Sequence, residues 1–105
     1  MNDDPERELV GYFLQAWFAK FGKTPALVKD AINAAQGINY DHPHESLLEA
    51  ITDIAGERDG NINCKRLGWW IKRHAGRVVN GLRFVQDKSV KSNATKWKVE
   101  SVLSV

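Results

Sequence analysis

At 105 residues the chain is bounded to a single domain, 1–105, with room for a hydrophobic core. Its 43% hydrophobic and 27% charged content is ordinary for a globular protein. No apolar run approaches the ~20 residues of a membrane span, and the acidic start (Asp3, Asp4, Glu6) is unlike a secretory signal. A cytoplasmic protein is therefore expected, and the lone cysteine, Cys64, which excludes an intrachain disulfide, fits a reducing compartment.

The net charge of +2 hides an uneven distribution. Through Glu57 the chain carries four basic and ten acidic residues, a net of −6. From Arg58 onward it carries eleven basic and three acidic residues, a net of +8. One reading is a polyanion-facing surface built by the C-terminal part, and the other is a basic face that water alone solvates.

Asp3 or Asp4 followed by Pro5 marks a helix start, because proline in the first turn gives up an N–H that has no helical partner. Leu9, Val10, Phe13, Leu14, Trp17 and Phe21 then recur at helical spacing, and Gly22 closes the helix. This stripe reads as core. Thr24-Pro25 repeats the start signal and predicts a second helix, with Leu27, Val28, Ala31, Ile32 and Ala35 along a narrow apolar edge ending near Gly37.

The loop that follows brings together Asp41, His42, His44 and Glu45. Imidazole and carboxylate bind zinc, but a structural site wants four ligands fixed by two elements, and capping of the next helix explains these residues without metal. No metal and no cofactor are expected. A third helix spans 43–55, with Leu47, Leu48, Ile51, Ile54 and Ala55 on its buried side and Gly56 at its end.

After the polar turn 57–61, Asn63 is a plausible N-cap for a fourth helix that hands over at Gly76. Leu67, Trp70, Ile71 and His74 make one mostly apolar face, while Lys65, Trp69, Lys72 and Arg73 share the opposite side with Arg66 flanking. A helix, a glycine-containing turn and a basic helix form the helix-turn-helix arrangement, here with a longer turn than the tightest examples. Gly68 inside the helix costs ~1 kcal/mol relative to alanine. Packing against the preceding helix is the expected reason, with contact to a ligand as the alternative.

Past Gly76 the period changes to that of strands. Leu82 and Phe84 alternate with Arg83 and Val85, Trp97 and Val99 alternate with Lys96 and Lys98, and Asn80-Gly81 suits a tight turn or bulge before the first strand. A polar, lysine-bearing loop over 86–94 joins the two strands, as in the wing of a winged helix. The expected fold is therefore α+β, a winged helix-turn-helix of about four helices over 1–76 and a hairpin wing over 77–100.

Leu47-Leu48-Glu49-Ala50-Ile51, then Asn63-x-x-x-Leu67-Gly68-x-Trp70-Ile71 continuing to Gly76-Arg77-Val78-Val79, then Gly81-Leu82-Arg83 together supply a motif. The motif resembles the C-terminal domain of phage and prophage replicative proteins of primase–helicase type. The resemblance covers roughly the C-terminal two-thirds of the chain and reaches the first helix only by pattern. It implies a winged-helix-like fold and a role near DNA replication or phage DNA metabolism.

Two departures qualify it. The ATP-binding G-x-x-x-x-G-K-[ST] signature is missing, since Gly22-Lys23-Thr24 matches only its last three characters, and Trp69 stands where a polar or basic residue would be expected. No paired carboxylates or nucleophile–base set is evident either, so a binding module rather than an enzyme is expected.

The expected DNA contacts are Asn63, Lys65, Arg66, Trp69, Lys72, Arg73, Arg77, Lys88 and Lys91. Arginine can pair bidentately with guanine, whereas Lys88, Lys91 and Arg77 are better suited to phosphates. Trp69 can stack on an unpaired base, touch a thymine methyl, anchor a protein partner, or pack beneath the wing. Duplex DNA is the preferred partner because a helix plus a wing suits a groove, with single-stranded DNA kept open by Trp69. The alternative is a protein-interaction module of a replication or phage assembly. A domain this short contacts few base pairs, so a homodimer or a larger parent protein would help it bind.

Overall fold

The computed structural model describes residues 5–38, 42–87 and 95–102. Among them the fold is α+β, with four helices and one three-stranded antiparallel sheet. In chain order the elements are α1 (Pro5–Phe21), β1 (Ala26–Leu27), α2 (Val28–Gln36), α3 (Glu45–Ala55), α4 (Cys64–His74), β2 (Leu82–Asp87) and β3 (Lys96–Ser101). The sheet order is β1-β3-β2.

The expected apolar stripe of α1 is the centre of the core. Val10, Phe13, Leu14 and Trp17 are fully buried. The Phe13 and Trp17 rings meet Phe84 of β2 with centroids 5.2 and 5.4 Å apart, at tilted and edge-on angles that favour aromatic pairs. Leu47 and Ile51 of α3 and Leu67 and Ile71 of α4 complete the core from the helical side. Gly22 ends α1 in the left-handed conformation, its N–H donating to the Phe18 carbonyl at 2.7 Å.

The second helix starts later than Thr24-Pro25 suggests. Ala26 pairs with Trp97 and Leu27 with Lys96, so this segment is a short edge strand and the helix begins at Val28. Leu27 occupies the N-cap and offers no capping side chain, so sheet pairing rather than capping sets this boundary. At the other end Gly37 adopts φ +80° and returns its N–H to α2.

The third helix starts at Glu45, with His44 as its N-cap accepting the Leu47 N–H on Nδ1 at 3.2 Å. His44 thus acts as a cap. Asp41, expected beside it, lies outside the described residues.

The turn between α3 and α4 is long but closed on itself. Glu57 N–H donates to the Asn61 carbonyl, Gly56 bridges Ile62, and Asn63 N–H donates to the Ala55 carbonyl. Asp59 accepts both the backbone and side-chain N–H groups of Asn61, which holds the tip in an Asx-type turn. The chain thereby enters α4 at a fixed angle to α3.

Beyond α4, Asn80-Gly81 is a two-residue hairpin turn. Both residues have positive φ, 54° and 78°, and Val79 and Leu82 exchange N–H···O bonds of 2.9 and 3.0 Å on either side. That combination is the type I′ geometry, and it leads directly into β2. Val79, buried beside the turn, packs onto α1, where a Cβ on Gly11 would stand 2.9 Å from Val79 Cγ1. Gly11 lets the turn approach the helix.

The β2–β3 hairpin has the expected alternation. Phe84, Trp97 and Val99 are buried, whereas Arg83 and Glu100 pair across the outer face at 2.7 Å. Being exposed, this ion pair contributes at most ~1 kcal/mol.

Candidate nucleic-acid interface

The site is built on α4, which the core grips from behind. Leu67 and Ile71 are fully buried, Trp70 is half-buried with its ring 5.5 Å from that of Phe13, and His74 is buried. Asn63 caps the helix, its side-chain oxygen accepting the Arg66 N–H at 3.0 Å. At the far end Ala75 closes the helix, Gly76 takes φ +85°, and its N–H donates to the Phe84 carbonyl at 3.0 Å. Both ends of α4 are therefore fixed, one by its own cap and the other by the sheet.

On the outward side Lys65, Arg66, Trp69, Lys72 and Arg73 are all exposed. Lys65, Trp69 and Lys72 follow one helical row, and Arg66 and Arg73 flank it. Trp69 is 73% exposed, the most exposed of the large hydrophobic side chains described. It does not pack under any other element among the described residues. None of the four cations has an ion-pair partner among the described residues. The first turn of α4 contains no acidic residue, so Lys65 and Arg66 sit at the positive end of the helix dipole, where each cation costs about 0.3–1 kcal/mol.

The other expected contacts fall as follows. Asn63 is half-buried and its carboxamide oxygen is committed to the cap. Arg77 is exposed just beyond the helix exit, its backbone N–H held by the His74 carbonyl at 3.1 Å. Lys88 and Lys91 lie outside the described residues.

A groove of about 550 Å³ runs beside this face. One wall is α4, through Lys65, Gly68, Trp69 and Lys72. The junction of β1 and α2 lines it through Leu27, Val28 and Lys29, and Trp97 of β3 also contributes to the lining. A volume of this size falls within the range of small-ligand clefts, about 300–1,000 Å³. Among the described residues, none of those lining it is acidic.

Gly68 corrects an expectation. A Cβ built there would meet only Val28 Cγ2, at 3.9 Å, an ordinary van der Waals distance. Close packing against the preceding helix α3 is therefore not the reason for glycine at this position.

Several groove residues, Leu27, Val28, Lys29 and Trp97 among them, were not foreseen from the sequence. Lys29 joins the basic face only because β1 pairs with β3 and turns the start of α2 toward α4. Val28 forms the apolar wall for the same reason. Their signal, a two-residue strand, is too short to show alternation.

No family model, curated protein or solved structure matches this chain.

Proposed function

We propose that the chain is a DNA-binding domain of winged-helix type, in which α3 and α4 form the helix-turn-helix, α4 meets the DNA and the β2–β3 hairpin is the wing. It acts by binding, without a catalytic step. The observation that carries this reading is the outer face of α4, where Lys65, Arg66, Lys72 and Arg73 surround an exposed tryptophan and none has a described carboxylate to neutralise it. A helix with cations at its positive end gives up stability for the fold, and a phosphate arriving there recovers it. The sheet order, with a hairpin directly after the basic helix, is compatible with the winged-helix arrangement. The motif resemblance to replicative phage proteins gives the proposal its setting in DNA replication or phage DNA metabolism.

Binding through phosphates releases counterions, so affinity should fall with salt at a logarithmic slope of about −0.9 per phosphate contacted on duplex. The test is fluorescence anisotropy with random duplex and single-stranded oligonucleotides over a salt series, with Lys72→Glu/Arg73→Glu beside the unaltered protein. Steep salt dependence, lost in the double variant, is the expected result. Absence of binding to either oligonucleotide at low salt would overturn the proposal.

The 73% exposure of Trp69 supports a second reading, a protein-interaction module of a replication or phage assembly. An aromatic anchor in a protein contact responds weakly to salt, so the same titration separates the two.

A further inference from the structure

Gly68 stands in the interior of a helix without a packing reason. Glycine there costs ~1 kcal/mol relative to alanine, and a Cβ would meet nothing nearer than 3.9 Å. The one thing its missing side chain achieves is to leave the wall of the groove bare. Leu27 and Val28 line the same groove with apolar surface, together with the exposed Trp69. Lys29, Lys65 and Lys72 come from two different elements to the same opening, and no described lining residue opposes them with negative charge.

An apolar slot beside an exposed indole and three lysines fits a ligand that joins a planar ring to an anion. The geometry points to an unpaired nucleotide of a DNA strand as the occupant of this groove. Its base lies over Gly68 against Trp69 and Val28, and the flanking phosphates meet Lys29, Lys65 and Lys72. This inference rests on the DNA-binding reading and adds a specific claim: the domain recognises a base free of its partner, so unpaired strand is preferred to closed duplex. Every base has a π-face, so stacking of this kind tolerates any sequence. A closed duplex keeps its bases stacked and cannot fill the slot without paying to extrude one.

The experiment compares three probes on the full chain at one low salt concentration. These are a short oligothymidylate, an abasic deoxyribose-phosphate strand of the same length, and a duplex of that length. Binding is followed by anisotropy, and tryptophan fluorescence is recorded in parallel. The oligothymidylate is expected to bind about tenfold tighter than the abasic strand, with quenching that only the base-bearing strand causes.

In Gly68→Leu, which fills the slot, and in Trp69→Ala, the ratio of the two affinities should fall close to unity. Circular dichroism confirms that each variant is folded. Binding of all three probes with a ratio already near unity would overturn the inference and leave the DNA-binding reading standing. A ratio that persists in both variants would place the base elsewhere and also overturn it. No binding of any probe would sink both.

Discussion

The imidazole of His74 joins the two ends of the helical layer. Its Nδ1 lies 2.8 Å from the Trp70 carbonyl oxygen one turn earlier in α4, and its Nε2 lies 2.5 Å from Oε1 of Glu6 in the first turn of α1. A carbonyl can only accept, so Nδ1 carries a hydrogen. The ring also lies 4.3 Å from that of Trp70, centroid to centroid. His74 is buried but Glu6 is half-exposed, so most of the value of the contact should come from the histidine side. His74→Ala is predicted to cost about 2 kcal/mol by urea unfolding, and Glu6→Gln less than about 1 kcal/mol. Equal losses from the two variants would show that the ion pair, rather than the burial and backbone bond of the histidine, holds the end of α4.

Two helical glycines should respond oppositely to the same substitution. At Gly11 a Cβ would stand 2.9 Å from both Val79 Cγ1 and Asn80 Nδ2, and Val79 is buried. At Gly68 the nearest atom is 3.9 Å away. Gly11→Ala is therefore predicted to destabilise by about 1–3 kcal/mol as the hairpin turn is displaced. Gly68→Ala should stabilise by about 0.5–1 kcal/mol through helix propensity alone. Thermal unfolding of both variants checks the signs, and destabilisation by Gly68→Ala would show an undetected close approach.

Asn63 holds the start of α4 through one bond from its side-chain oxygen to the Arg66 N–H. Asn63→Ala should cost about 1 kcal/mol, and Asn63→Asp should keep the stability while adding a negative charge beside Lys65 and Arg66. If α4 binds phosphate, the aspartate variant should bind DNA more weakly at unchanged stability. A variant equally stable and equally good at binding would remove this end of the helix from the interface.

If α4 binds DNA as proposed, Lys65 and Arg66 trade stability against binding. Replacing both with glutamine should raise stability by about 0.5–1 kcal/mol, because two cations leave the positive end of the helix dipole. The same change should lower DNA affinity and flatten its salt dependence by about two phosphate contacts. Loss of stability in this variant would mean that the two side chains pack on the fold through their aliphatic stems.

The sequence made α4 legible because three independent signals coincide there: an apolar period, the cap at Asn63 and the exit at Gly76. The hairpin was legible from the alternation of Phe84, Trp97 and Val99. The Asn80-Gly81 turn was legible because only small or polar residues tolerate positive φ at both positions. What stayed hidden depends on contacts distant in sequence. Ala26 and Leu27 look like the opening of a helix after Pro25, and only their pairing with Trp97 and Lys96 makes them a strand. Lys29 and Val28 reach the groove through that pairing. The partnership of Glu6 with His74 likewise has no local mark. Gly68 shows the limit from the other side: its cost is visible in the sequence, but its reason needed the space around it.

The contact of Ala26 with Trp97 ties a residue near the beginning of the chain to one near its end. Closing so large a loop carries an entropic penalty that local helices do not face. β1 holds on with only two residues, Ala26 and Leu27. The wall of the groove formed by Leu27 and Val28 is therefore expected to assemble last and to open first. In native-state hydrogen exchange, the amides around β1 should exchange through a small local opening while those of α3 require global unfolding. Uniform protection would show that the wall is as rigid as the core.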